Sequence, residues 1–263
     1  PSEDTVNFAT PPVVELVCGA AFTTLRALRV PHFGLFWNTL RNEFPRVQEA
    51  PPLVLASADN IEIELLQNPP LPRVWFLNED ESTLIQIQKD RFIYNWKRQG
   101  ATDPYPRYET IYPTFDSWIS RFSKFLKEND LGEIEFRQFE LTYVNHIPID
   151  SVSGILARAP DTLIDHKRDS TSGRFLPEGT NFSWTTEYAL PNGTGSFYIL
   201  AQSARTVKDG QLLIRLDISA KGIGKEASLA GMKSWFDVAH EWIIHGFVDV
   251  TDKRVQDKVW GRQ

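Results

Sequence analysis

Between Arg73 and Arg98 the chain reads RVWFLNEDESTLIQIQKDRFIYNWKR, and few folds accommodate such a run. Apolar residues keep one parity through Leu84–Gln88 and resume on the other at Phe92, Tyr94 and Trp96, which a tight turn at Lys89-Asp90 explains. The stretch is therefore a three-stranded meander. A helix from about Thr114 to Glu128 follows it, with Phe115, Trp118, Ile119, Phe122, Phe125 and Leu126 in one stripe and Gly132 placed to cap its end.

The remaining segments repeat these themes. Val14, Leu16, Cys18, Ala20 and Phe22 have the every-second-residue rhythm of a strand, with Glu15 pointing the other way. Pro31 suits a first helical turn, and Phe33, Phe36, Trp37, Leu40 and Phe44 continue it at spacings of three and four until Pro45. Residues 50–53 read as a proline-rich connector, and Ile61, Ile63 and Leu65 alternate with glutamates as another short strand. The prolines of GATDPYPRYETIYP predict an extended loop that ends where Pro113 opens the next helix.

In the second half, residues 135–149 return to strand rhythm, with Phe139, Leu141 and Tyr143 on one side and Gln138, Glu140, Thr142 and His146 on the other. A short helix over Val152–Ile164 and a charged, glycine-containing loop over 165–180 come next. Strands near 181–190, 196–207 and 211–220 are joined at Asn192-Gly193 and Asp209-Gly210. A long helix spans Ala227–Val248, and Thr251 caps a last short one.

Strand, helix, several strands and helix thus occur twice. Glu15-Leu16 and Glu140-Leu141, Lys89-Asp90 and Lys208-Asp209, and Ser117-Trp118 and Ser234-Trp235 echo each other at matching places, with offsets falling in one direction. The expectation is an α+β protein of two tandem β-α-β(3-4)-α units, 1–133 and 134–263. They would form one curved antiparallel sheet with helices on one face, as in TATA-binding-protein-like or helix-grip-like folds. The other face would be partly open, carrying Glu15, Gln86, Gln88, Arg91, Asn95, Lys97, Gln138, Glu140, Thr142, His146, Arg215 and Asp217. Such a face is either a solvated surface of cross-strand ion pairs or a polar binding surface.

Composition narrows the function. A net charge of −6 disfavours nonspecific DNA binding. The one cysteine, Cys18, has no partner for an internal disulfide and reads as a small buried hydrophobe, and no run of about 20 apolar residues suggests a membrane span. A soluble cytoplasmic protein is expected, in which the Asn181 and Asn192 sequons have no role beyond turns.

Catalytic signatures are scarce. His240 and His245, five apart, are rotated by about 140° around a helix and cannot share a metal as an i, i+4 pair can. Gly222-Ile223-Gly224-Lys225 lacks the length of a phosphate-wrapping GxxxxGK[ST] loop and reads as a strand-to-helix turn. His146 and His166 with Asp150, Asp161 or Asp165 supply only unplaced acid and base groups. No catalytic residue, metal ligand or cofactor is assigned.

PPVVELVCG, HFGLFWNTLRNEFP, LIQIQKDRFIYNW, YPRYE, ELTYVNHI and WGR resemble an uncharacterised family of bacterial proteins about 250 residues long and scattered among genomes. The resemblance covers nearly the whole chain. It implies no activity and carries over no site residues, and the patchy distribution suggests an accessory gene such as a defence or toxin-neutralising component. The expected function is a non-enzymatic binding or regulatory protein that recognises a protein partner, such as a co-encoded effector, through the sheet face or the 165–180 loop. The alternatives are a sensor of a nucleotide or other small anionic ligand and an unrecognised hydrolase. Arg91, Asn95, Arg107, Glu140, His146, Arg215 and Asp217 are the expected binding residues.

Overall fold

Nine strands and four α-helices make up the computed structural model, which describes residues 6–53, 71–100, 102–149, 159–165, 175, 179–207 and 209–263. In chain order the elements are β1 (Val13–Phe22), α1 (Val30–Leu40), β2 (Arg46–Ala50), β3 (Arg73–Leu77), β4 (Thr83–Gln88), β5 (Arg91–Lys97), α2 (Tyr108–Glu128) and β6 (Phe136–Pro148). Then come β7 (Ser183–Ala189), β8 (Gly195–Arg205), β9 (Leu212–Gly222), α3 (Met232–Val250) and α4 (Lys253–Lys258). The strands form one open antiparallel sheet in the order β2-β3-β4-β5-β1-β6-β9-β8-β7, so the fold is α+β. Two compact units divide the chain: Val17–Phe139 with Ala227–Ala230, and Pro1–Leu16, Glu140–Glu226 and Gly231–Gln263.

In the unit built mainly from Val17–Phe139, the meander has the expected turn, with Ile87 opposite Phe92 and Gln88 opposite Arg91. One face carries Val74, Phe76, Ile85, Ile87, Phe92 and Tyr94, all buried. Helices α1 and α2 lie on it: Phe36 meets Phe76, Phe122 and Phe125 at 6.4, 5.2 and 5.2 Å between ring centroids, and Phe92 stacks on Phe122 at 5.4 Å. Burying these rings removes enough apolar surface for each to contribute about 1.5–3 kcal/mol. Cys18 is fully buried, and burial pushes its thiol pKa far up. Tyr94 is pushed up to about 12 by the same cause, with Cys18 adding to the shift and a hydrogen bond to Thr83 opposing it.

Several element boundaries differ from expectation. Helix α2 begins at Tyr108, not Thr114, so Pro113 lies inside it. The proline forfeits one backbone hydrogen bond, and burial of Tyr108, Ile111 and Tyr112 offsets the loss. Helix α1 stops at Leu40, four residues early, because Pro45 disfavours helical backbone at the residue before it. Phe44 still reaches the core from a turn, its N–H donating to Leu40 O at 2.9 Å. Strand β2 falls just before the expected 50–53 connector, in a stretch to which no element was assigned; its RVQEA sequence buries no face and is held by pairing with β3. The strand expected at Ile61–Leu65 lies outside the described residues.

In the other unit, α3 covers β6, β8 and β9 through Trp235, Phe236, Ala239, Ile243 and Phe247. Tyr143 Oη and His240 Nδ1 are 2.9 Å apart, and Trp235 Nε1 donates to Thr194 O at 3.1 Å. Strand β8 begins at Gly195, where φ is +138° and a Cβ would lie 2.1 Å from Lys221 O. Only glycine permits that approach to β9. Gly222, opposite Gly195, is equally crowded, so the glycine-lysine segment singled out in the sequence serves strand packing, and Lys225 stands well before α3.

Helix α3 begins at Met232 rather than Ala227, with Gly231 as its N-cap, and Ser234 Oγ donates to Gly231 O at 2.9 Å. Asp252, not Thr251, caps α4, accepting from the Arg254 N–H, while Thr251 Oγ1 donates back to Phe247 O at 2.6 Å. Of the helix expected over 152–164, the described part is a 3₁₀ turn at Ala159–Asp161. Most of the 165–180 loop lies outside the described residues. Among the described residues no helix is long and apolar enough to cross a membrane.

Candidate functional site

On β3, β4 and β5 the face turned away from α1 and α2 is polar and nevertheless buried. Strand register sets Trp75 opposite Gln86 and Gln88 opposite Arg91, and one step further along the β3–β4 pairing brings Arg73 beside Gln88. Gln86, Gln88 and Asn95 are each no more than 7% exposed, which corrects the expectation that they line an open surface. The chain's own backbone accounts for part of the cover: Gln88 Oε1 accepts from Leu53 N at 2.8 Å and Gln88 Nε2 donates to Leu53 O at 2.7 Å. Gln86 Nε2 donates to Asn95 Oδ1 at 2.7 Å.

The cations of this face are less well provided for. Arg91 Nε and Nη2, Arg73 Nε and the indole nitrogen of Trp75 are buried and meet no acceptor among the described residues. Gln86 Oε1 is buried without a donor. Burial first, and then the charge of Arg91, lower the pKa of Arg73. Two like charges thus lie near one another on a half-buried part of the face. The Trp75 ring partly compensates, since the Arg73 guanidinium lies 5.3 Å and the Lys97 ammonium 5.5 Å from its centroid.

A buried polar group left without a partner costs about 1–3 kcal/mol, and an unpaired charge costs more. Buried donors that persist at such a cost call for an explanation, and an anion is the simplest acceptor for a converging set of guanidinium and indole N–H groups. The site is cation-rich and half-buried, with donor atoms of Arg73, Trp75 and Arg91 out of contact with water, which suits it to holding an oxyanion. Nothing in it resembles a nucleophile with an adjacent base.

The equivalent face of the other unit is half-exposed and self-satisfied. Arg215 Nε donates to both Asp217 oxygens at 2.9 and 3.0 Å, which holds the arginine's pKa up, with Asp217 and Glu15 adding charge attraction. Lys221 pairs with Glu140 at 3.2 Å, and Thr142 Oγ1 donates to Ser219 Oγ at 2.8 Å. These contacts place Glu140 and Arg215 on the same side of the sheet. His146 sits beside Arg215 and Asp217, its pKa lowered by burial first and by Arg215 second, against an opposing pull from Asp217.

Of the expected binding residues, His146, Arg215 and Asp217 therefore form one group, with Glu15 beside Arg215 and Glu140 further along the same face. Arg91 belongs with Arg73, and Asn95 with Gln86. Arg107 is exposed at the N-cap of α2 with φ of +62°. Sequence reasoning missed Arg73 and Trp75. Their odd-numbered spacing in RVWFL, drawn in register with Gln88 and Arg91, was the signal that could have found them.

No family model matches the chain, and no curated protein matches it.

Proposed function

We propose that the protein is a non-enzymatic receptor for a small anionic ligand, a phosphate-bearing or polycarboxylate molecule, gripped by Arg73 and Arg91 with the Trp75 N–H completing the site. The observation that carries this reading is the set of buried guanidinium nitrogens without acceptors. Guanidinium forks match planar or tetrahedral oxyanions bidentately, which is why two of them in a half-buried site favour this ligand class.

Thermal unfolding tests it. A ligand at about a hundredfold over its Kd adds about 2.7 kcal/mol, which in a chain of this size raises Tm by roughly 5–10 °C. Inorganic phosphate, ATP and citrate are the probes. A shift with at least one, abolished in Arg91→Met, supports the proposal. No shift with any of the three at millimolar concentration overturns it.

A second reading is favoured by the half-exposed strip of the other unit, where Arg215 and Lys221 side chains are each 41% exposed beside Glu140 and Asp217. There the protein would dock a protein partner, such as an effector encoded beside it in an accessory or defence locus. Pull-down of the same partner by the wild type but not by Arg215→Glu supports this, and retention by the variant opposes it.

The finer architecture is also a proposal: a tandem duplication, 1–133 and 134–263, arranged as in TATA-binding-protein-like or helix-grip-like folds. Strand order supports it, because β1 neighbours β5 and β6 neighbours β9, each opening strand lying beside the last strand of its own run. The echoes fall on corresponding elements: Leu16 and Leu141 are buried in β1 and β6, Lys89-Asp90 turns β4 into β5, and Trp118 and Trp235 lie in α2 and α3.

A further inference from the structure

A cavity of about 420 Å³ opens between β7, β8 and α3, lined by Tyr188, Phe197, Ile199, Trp242, His245 and the carboxylates of Glu241 and Asp249, among others. From its lining we infer a second binding site, independent of the arginine site, for a small organic ammonium ion.

Three features of the lining converge on that chemistry. Its walls are aromatic: Phe197 lies 6.0 Å from Tyr188 and 5.7 Å, edge to face, from Trp242, so the rings run as a continuous strip. Ring faces attract alkylammonium groups, by about 0.5–2 kcal/mol each, and tolerate the methyl or methylene groups such ions carry. Glu241 and Asp249 supply negative charge, and neither forms an ion pair with another described residue. No lysine or arginine among the described residues lines the cavity. Its volume falls within the range of small-ligand pockets, about 300–1,000 Å³.

Gly246 shapes the floor. A Cβ there would lie 2.5 Å from Phe197 Cζ, so the glycine lets α3 settle onto β8 and fixes the Phe197 ring against the helix. Tyr188 is 41% exposed on β7 and forms the outer wall. An aromatic side chain that open, beside two carboxylates without ion-pair partners among the described residues, can serve as one wall of a cation cage.

Isothermal titration of the full chain with choline and with spermidine tests the inference, with 3,3-dimethylbutanol as the uncharged analogue of choline. Saturable binding of at least one cation, tenfold or more weaker for the uncharged analogue, is expected. The Glu241→Gln/Asp249→Asn double variant, whose positions are exposed, should fold normally and lose affinity tenfold or more; Trp242→Leu should lose a similar factor. Equal binding of 3,3-dimethylbutanol, full affinity in the double variant, or no binding of either cation to the wild type overturns the proposal. Because phosphate, ATP and citrate read the arginine site and the cations read this one, either can fail without the other.

Discussion

Two sheet faces of similar composition meet opposite fates in this molecule. On β6 and β9 each cation has found an anion, Arg215 with Asp217 and Lys221 with Glu140, and the face stays half in water. On β3, β4 and β5 Gln86, Gln88 and Asn95 are buried and guanidinium atoms of Arg73 and Arg91 with them, yet the two arginines have no carboxylate among the described residues. Pairing in water contributes little stability and needs no burial. Burial without pairing is costly, and a fold that retains it gains something other than stability. The contrast separates a surface that is paired and solvated from one whose buried donors have no acceptor among the described residues.

The helix-covered sides offer the reference point, because there the two units behave alike. Phe122 and Phe236 are each no more than 1% exposed, and truncating either to alanine should cost about 3–5 kcal/mol in chemical denaturation. A loss below about 1 kcal/mol at one of them would mean that its unit lacks the dry core assigned to it.

The polar faces should then diverge. Replacing Arg91 with methionine removes a half-buried guanidinium whose Nε and Nη2 have no acceptor among the described residues while keeping much of its volume, and apolar replacement of buried charges is often neutral or stabilising. Arg91→Met should therefore leave the ligand-free protein as stable as the wild type or more so, while removing the phosphate, ATP or citrate response. Urea denaturation without ligand reads this directly. Destabilisation by more than about 1 kcal/mol would indicate that Arg91 already has a partner that matters.

On the self-paired face the same operation should do little. Asp217→Asn breaks the contact to Arg215, whose side chain is 41% exposed, and exposed pairs contribute about 0.2–1 kcal/mol. A cost several times larger would show that this strip is drier than its exposure implies.

How far this contrast was readable beforehand depends on which interactions are local. The meander was legible because Ile85, Ile87, Phe92 and Tyr94 alternate within a few residues of a turn. Helix α2 was legible in its stripe but not at its start, because proline density in 104–113 outweighs the later burial of Tyr108 and Tyr112. Strand β2 left no pattern, since none of its side chains is buried. The same blindness hid the burial of the polar residues on β4 and β5: Gln86 and Asn95 read as surface residues by their polarity, and contacts made far away in sequence, such as Leu53 on Gln88, help take that face out of water. Glu140, His146, Arg215 and Asp217 were grouped correctly on one side by parity alone.

The smallest effect distinguishes the faces by pH. His146 is partly buried next to Arg215, so its pKa in the folded protein lies below the unfolded value of about 6.5. The unfolded chain then binds the proton more readily, and stability rises with pH across the interval between the two values. The contribution is fully present above about pH 6.5 and is lost as pH falls through the lower, folded pKa. Urea titrations of the wild type and His146→Gln between mildly acidic and neutral pH should therefore converge or cross as the pH drops, with the wild type losing stability faster. Arg91→Met removes no group that titrates in that interval, so its profile should run parallel to the wild type's. Parallel profiles for His146→Gln as well would mean that the imidazole is effectively solvated, and the face around Arg215 and Asp217 would be more open than its neighbours make it.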